Sequence, residues 1–98
     1  MTDIRKTKTL DEVMADYLSD PDDLAEYINT SIEEGRLTEA LGRVARVYGI
    51  GKLAEQTSLN RENLYKMLAD GSNPSLKSLE AVLDSLGLQI KVEPKKVA

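Results

Sequence analysis

Lys52-Leu53-Ala54-Glu55-Gln56-Thr57, then Ser58-Leu59-Asn60, then Arg61-Glu62-Asn63-Leu64-Tyr65-Lys66-Met67-Leu68-Ala69 is the stretch on which the reading of this chain turns. Leu53, Leu64, Met67 and Leu68 recur at helical spacing on either side of three residues that carry no such period. Asn60 is a good N-cap for a helix starting at Arg61, because its side-chain oxygen can accept an orphan N–H of the first turn. Gly49-Ile50-Gly51 punctuates the chain before the pair, and Asp70-Gly71-Ser72-Asn73-Pro74 reads as a loop after it. The stretch therefore predicts two short helices joined by a three-residue turn. Ala54 is the small residue where the second helix crosses the first, and Leu53, Leu59, Leu64, Met67 and Leu68 anchor both to the body.

Working outward, helical patterns dominate. Leu10, Val13, Met14, Tyr17 and Leu18 predict a short amphipathic helix after an arm, MTDIRKTK. Asp20-Pro21 predicts a cap and a restart, since proline at the first helical position lacks an N–H that is not needed there. Leu24, Ala25, Ile28 and Ile32 share the inner face of the next helix, which should stop at Gly35. Leu37, Leu41, Val44, Ala45 and Tyr48 mark another, stopped by Gly49. Ser75 should cap a last helix with Leu76, Leu79, Val82, Leu83 and Leu86 facing inward and Gly87 in left-handed conformation at its end. Leu88-Gln89-Ile90-Lys91-Val92 alternates with period two and predicts a short strand. A buried strand must pair, with the N-terminal arm or with its mate in a dimer, and the dimer is favoured. The expected fold is all-α: a five-helix domain over residues 20–98 with a short C-terminal strand, preceded by an arm and short helix over residues 1–19.

Composition excludes more than it selects. The chain has no cysteine and no histidine, so disulfides, thiolate metal sites, cysteine nucleophiles and the commonest general base are all absent. No metal, cofactor or catalytic activity is expected. Asp22-Asp23 and Glu33-Glu34 are sequence neighbours, which do not face one another on a helix, so they form no catalytic dyad. Tyr17, Tyr27 and Tyr48 read as packing residues. No apolar run is long enough to span a bilayer and the N-terminus lacks a signal-peptide core, so a cytoplasmic protein is expected.

The net charge of −4 is unevenly divided. Residues 1–35 carry ten acids against three basic residues, a formal −7, and residues 36–98 carry ten basic residues against seven acids, a formal +3. Local sign outweighs total charge when the partner is a polyanion.

A helix pair of this kind can hold its second helix out so that it enters a DNA major groove, about 12 Å wide. The outer face must then be polar, and Arg61, Glu62, Asn63, Tyr65 and Lys66 meet that need. The backbone N–H groups at Gly51-Lys52 open a helix and suit a phosphate. Arg43 and Arg46, one helix earlier, either flank the nucleic acid or are solvated.

LAEQTSLNRENLYKML followed by GSNPSLKSLEAVLDSLGL resembles the Cro/Xre-type helix-turn-helix family, with the motif at about 50–69. With DPDDLAEYINTSIEEG and LTEALGRVARVYGIGK added, residues 17–92 resemble the addiction-module antidote proteins, antitoxins of the HigA-like kind. The resemblance implies base reading by Arg61, Glu62 and Lys66 and phosphate contacts by Lys52, Asn63, Tyr65 and Asn73. It implies a lambda-repressor-like helix-turn-helix fold, a dimer on a double-stranded operator, and as second partner a small basic toxin of the RelE/HigB-like class. A stand-alone phage- or plasmid-type regulator without a toxin is the alternative. One departure is Ser58, where such motifs often carry glycine; a positive φ there costs serine about 1 kcal/mol.

Overall fold

The computed structural model describes residues 9–96. Six helices succeed one another: α1 (Leu10–Ser19), α2 (Pro21–Glu33), α3 (Leu37–Tyr48), α4 (Ile50–Thr57), α5 (Arg61–Met67) and α6 (Leu76–Ser85). The arm over residues 1–8 lies outside the described residues, as do the side chains of Leu10 and Asp11.

Local chemistry sets most of the boundaries. Thr9 and Glu12 form a capping box: the Thr9 hydroxyl accepts from the Glu12 N–H at 3.2 Å, and Glu12 Oε1 accepts from the Thr9 N–H at 2.8 Å. Asp20 caps α2, accepting from the Asp22 N–H at 2.9 Å with Pro21 in the first turn. Asn60 caps α5 and Ser75 caps α6, each through its own side-chain oxygen. Helices α2 and α6 end alike. Gly35 (φ 73°) and Gly87 (φ 81°) turn left-handed. The next residues, Arg36 and Leu88, then return their N–H groups to Ser31 and Leu83, both at 2.8 Å.

Helices α1, α2 and α3 pack on one another, α3 continues onto α4, and α4 carries both α5 and α6. One core joins them through Met14, Leu24, Ile28, Leu41, Val44, Leu53, Leu64, Val82 and Leu83. Each such side chain contributes roughly 1.5–3 kcal/mol on burial, which offsets the ordering of these short helices. Two polar ties reinforce it. The buried Ser31 hydroxyl donates to the Tyr27 carbonyl at 2.9 Å. The Tyr48 hydroxyl donates to Gln56 Oε1 at 2.6 Å, with the Ser85 carbonyl 3.3 Å away as a second acceptor.

Three expectations need correction. The helix count is six, because α1, assigned to an N-terminal arm and short helix, places Met14 in the same core at 2% exposure. No strand occurs among the described residues, and residues 88–96 continue from α6 as irregular chain. The alternation at 88–92 records a capacity to pair, but a strand exists only when a neighbour supplies its hydrogen bonds. Ile32 and Leu76 stand exposed, at 52% and 62%, although their spacing puts them on the inner faces. Spacing sets which face a residue shares; it does not say where along the helix its neighbour stops.

Candidate nucleic-acid interface

The α4–α5 pair is built from the turn outward. The Thr57 hydroxyl donates to the Leu53 carbonyl at 2.6 Å and accepts from the Leu59 N–H at 3.2 Å, which closes α4 and starts the turn with one side chain. Ser58 then adopts φ 64°, ψ 13°, the left-handed conformation that serine bears at a cost. Asn60 Oδ1 accepts from the Asn63 N–H at 2.7 Å, and α5 begins. Leu53 and Leu64 are fully buried, Met67 and Leu68 nearly so, and Ala54 and Leu59 half-buried against the core.

With one face of α5 locked inward, the other is free. Arg61, Glu62, Asn63, Tyr65 and Lys66 are all exposed, Tyr65 by 59% despite its size. The arrangement is a rigid helix whose outer side offers two cations, a carboxylate, an amide and a phenol, the groups that pair with base edges and phosphates.

The remaining expected residues are placed unequally. The Arg61 guanidinium lies against Gly51, so the first residue of α5 and the start of α4 share a surface. Lys52, next in the chain, holds its Nζ 4.3 Å from the centroid of the Tyr48 ring while remaining exposed. A cation over a ring face is attracted by the ring quadrupole, which restrains the lysine without neutralising it. Asn73 is exposed on the loop between α5 and α6. Arg43 donates to the Tyr27 hydroxyl of α2 at 3.3 Å, where Tyr27 stacks on Tyr17 at 5.0 Å between centroids. Arg46 is exposed.

Sequence reasoning missed Gly42, which shapes this surface, and read Gly51 only for its backbone N–H groups. A Cβ on Gly42, in α3, would stand 3.0 Å from the Leu68 carbonyl oxygen, so the end of α5 rests on bare backbone. A Cβ on Gly51 would stand 2.7 Å from Arg61 Nη2. The signal for Gly42 was available: a glycine inside a strongly amphipathic helix is unfavourable and needs a packing reason.

No helix of the described residues is long and apolar enough to cross a membrane. What the fold and surface define is a six-helix domain that braces one short polar helix outward on a buried core. The sequence model of a family described as "Probable addiction module antidote protein" matches residues 6–94, and the chain belongs to that family. A chain from Haemophilus influenzae, described as an uncharacterized protein, is 28% identical over 88 residues, covering 87% of this chain and 91% of that one. No solved structure matches.

Proposed function

We propose that this protein is the antitoxin of a type II toxin–antitoxin module, which neutralises a small basic RelE/HigB-like toxin and represses its own operon by binding operator DNA as a dimer. The observation that carries the DNA half is the exposed polar face of α5, held outward by the burial of Leu53, Leu64 and Met67. On this reading Arg61 pairs with guanine O6 and N7, Glu62 accepts from a cytosine amino group, and Lys66 contacts guanine or phosphate. Lys52, Asn63, Tyr65 and Asn73 hold the backbone, which positions the domain without reading sequence. Membership in the antidote family supports the toxin half. So does charge: Asp22, Asp23, Glu26, Glu33 and Glu34 are all exposed along α2 and its end, a surface suited to a cationic enzyme.

The test is co-expression with each flanking gene, followed by purification and footprinting on the upstream DNA. A small basic neighbour should co-purify, stop growth when expressed alone, and leave the pair bound to its own promoter. Operator binding without any such neighbour makes the chain a stand-alone regulator. Failure to bind upstream DNA removes the assignment of α5.

A further inference from the structure

The tail beyond α6 has a sequence suited to pairing, and it has no backbone partner among the described residues. Gly87 and the Leu88 N–H end the helix, and from residue 89 to residue 96 no backbone group bonds to another described residue. Leu88 is half-buried against the core, and the period of an extended chain carries Ile90 and Val92 to the same side. Ile90 is 43% exposed and Val92 90%. Between this segment and α2 runs a groove of about 590 Å³, lined by Ile28, Ile32, Asp22 and Glu33 on one wall and Ile90 and Lys91 on the other. Ile32, so exposed for an apolar side chain, lies in it. Backbone groups without partners beside a groove lined by apolar side chains can take up hydrogen bonds from another chain.

We propose that a second copy of this chain fills the groove, its own residues 88–92 running antiparallel to these with Ile90 opposite the partner's Ile90. The inference rests on the dimer of the proposed function and names its interface. Register selects the occupant. With the two isoleucines opposite, Leu88 faces the partner's Val92 and Gln89 faces the partner's Lys91, so every apolar residue meets an apolar one and no like charges meet. A one-residue slip sets Ile90 against Lys91 or Gln89 and turns the partner's apolar set outward. A two-residue slip about Lys91 sets lysine on lysine and Leu88 against Pro94, which has no N–H to give. The opposite slip asks Val92 to pair with Leu86, which closes α6 and is buried. Charge agrees: residues 91–96 hold Lys91, Lys95 and Lys96 against Glu93 alone, and the α2 wall of the groove presents Asp22 and Glu33. The tail of a second copy is drawn to that wall.

The absence of cysteine makes the test direct. Directly opposite residues of an antiparallel pair have Cα atoms about 4.5–5.5 Å apart, inside the range a disulfide spans. In the full-length chain, Ile90→Cys should oxidise to a covalent dimer and Gln89→Cys should not. A mixture of Leu88→Cys and Val92→Cys should crosslink between the two variants in preference to either alone. Ile90→Lys should convert a sedimenting dimer to monomer with an unchanged helical circular dichroism signal. If the unaltered chain sediments as a dimer but position 90 does not crosslink, the interface lies elsewhere and this proposal is overturned while the dimer stands. If the unaltered chain is monomeric at micromolar concentration, both fall, and the co-expression test of the toxin is untouched.

Discussion

A methyl group on Gly51 would sit 2.7 Å from Nη2 and 3.5 Å from Cζ of Arg61, so the guanidinium occupies the space that any other residue at position 51 would take. The obstruction is the far end of a flexible side chain, which can swing away with little loss of folding energy. Gly51→Ala should therefore leave stability unchanged or raise it by up to about 1 kcal/mol, because glycine within a helix is the less favourable residue. The same change should move Arg61 and impair operator recognition. Arg61→Ala should cost roughly 1–3 kcal/mol of operator binding. Fluorescence anisotropy on the two single variants and the double variant checks the coupling, and fully additive losses would show that position 51 does not place Arg61.

Lys52 is expected to act on phosphates and Arg61 on a base. Lys52→Ala should weaken operator and random DNA alike and lower the slope of log affinity against log salt by about one unit. Arg61→Ala should relax specificity at one base pair instead. Equal losses on both DNAs for both variants contradict this division.

Ser58 is the non-glycine residue with positive φ among those described. Ser58→Gly should stabilise the protein by about 0.5–1 kcal/mol in urea unfolding, less whatever the freer unfolded chain regains. Ser58→Val should destabilise it, since a β-branched residue tolerates that conformation worst. No change in either variant removes the strain argument for the turn.

At Gly42 the neighbour is backbone, the Leu68 carbonyl at 3.0 Å, and cannot swing aside. Gly42→Ala should shift the end of α5 by a few tenths of an ångström and cost roughly 1–3 kcal/mol despite the better helix propensity of alanine. Leu64→Ala, at a fully buried position, should cost about 2–5 kcal/mol. Thermal melts separate the two cases: a Gly42→Ala protein as stable as the parent would mean that the contact yields.

The exposed acids of α2 and its end give a test of the toxin surface. Changing Asp22, Asp23, Glu33 and Glu34 together to their amides should slow toxin association at low salt far more than at high salt. Because Asp22 and Glu33 also line the groove assigned to the second copy, the variant's sedimentation as a dimer is checked alongside. Toxin affinity unaltered at low salt would place that surface elsewhere.

Much of this molecule was determined by its sequence alone. Asp20-Pro21, Asn60, Ser75, Gly35 and Gly87 fall where caps and left-handed stops were expected, because capping depends on groups within a few residues of one another. The anchors of the α4–α5 pair were legible for the same reason: 3.6-residue spacing puts Leu64, Met67 and Leu68 on one side and leaves Glu62 and Lys66 on the other. Only the tertiary structure decided the rest. It brought Arg43 to Tyr27 on α2, Lys52 over Tyr48, and the Arg61 guanidinium onto Gly51. It also placed Met14 of α1 in the common core and left Ile32, Leu76 and the 88–92 segment open. Periodicity fixes the direction a side chain takes from its own helix; what it meets depends on where other helices cross and end, and that is set by the packing of the whole chain.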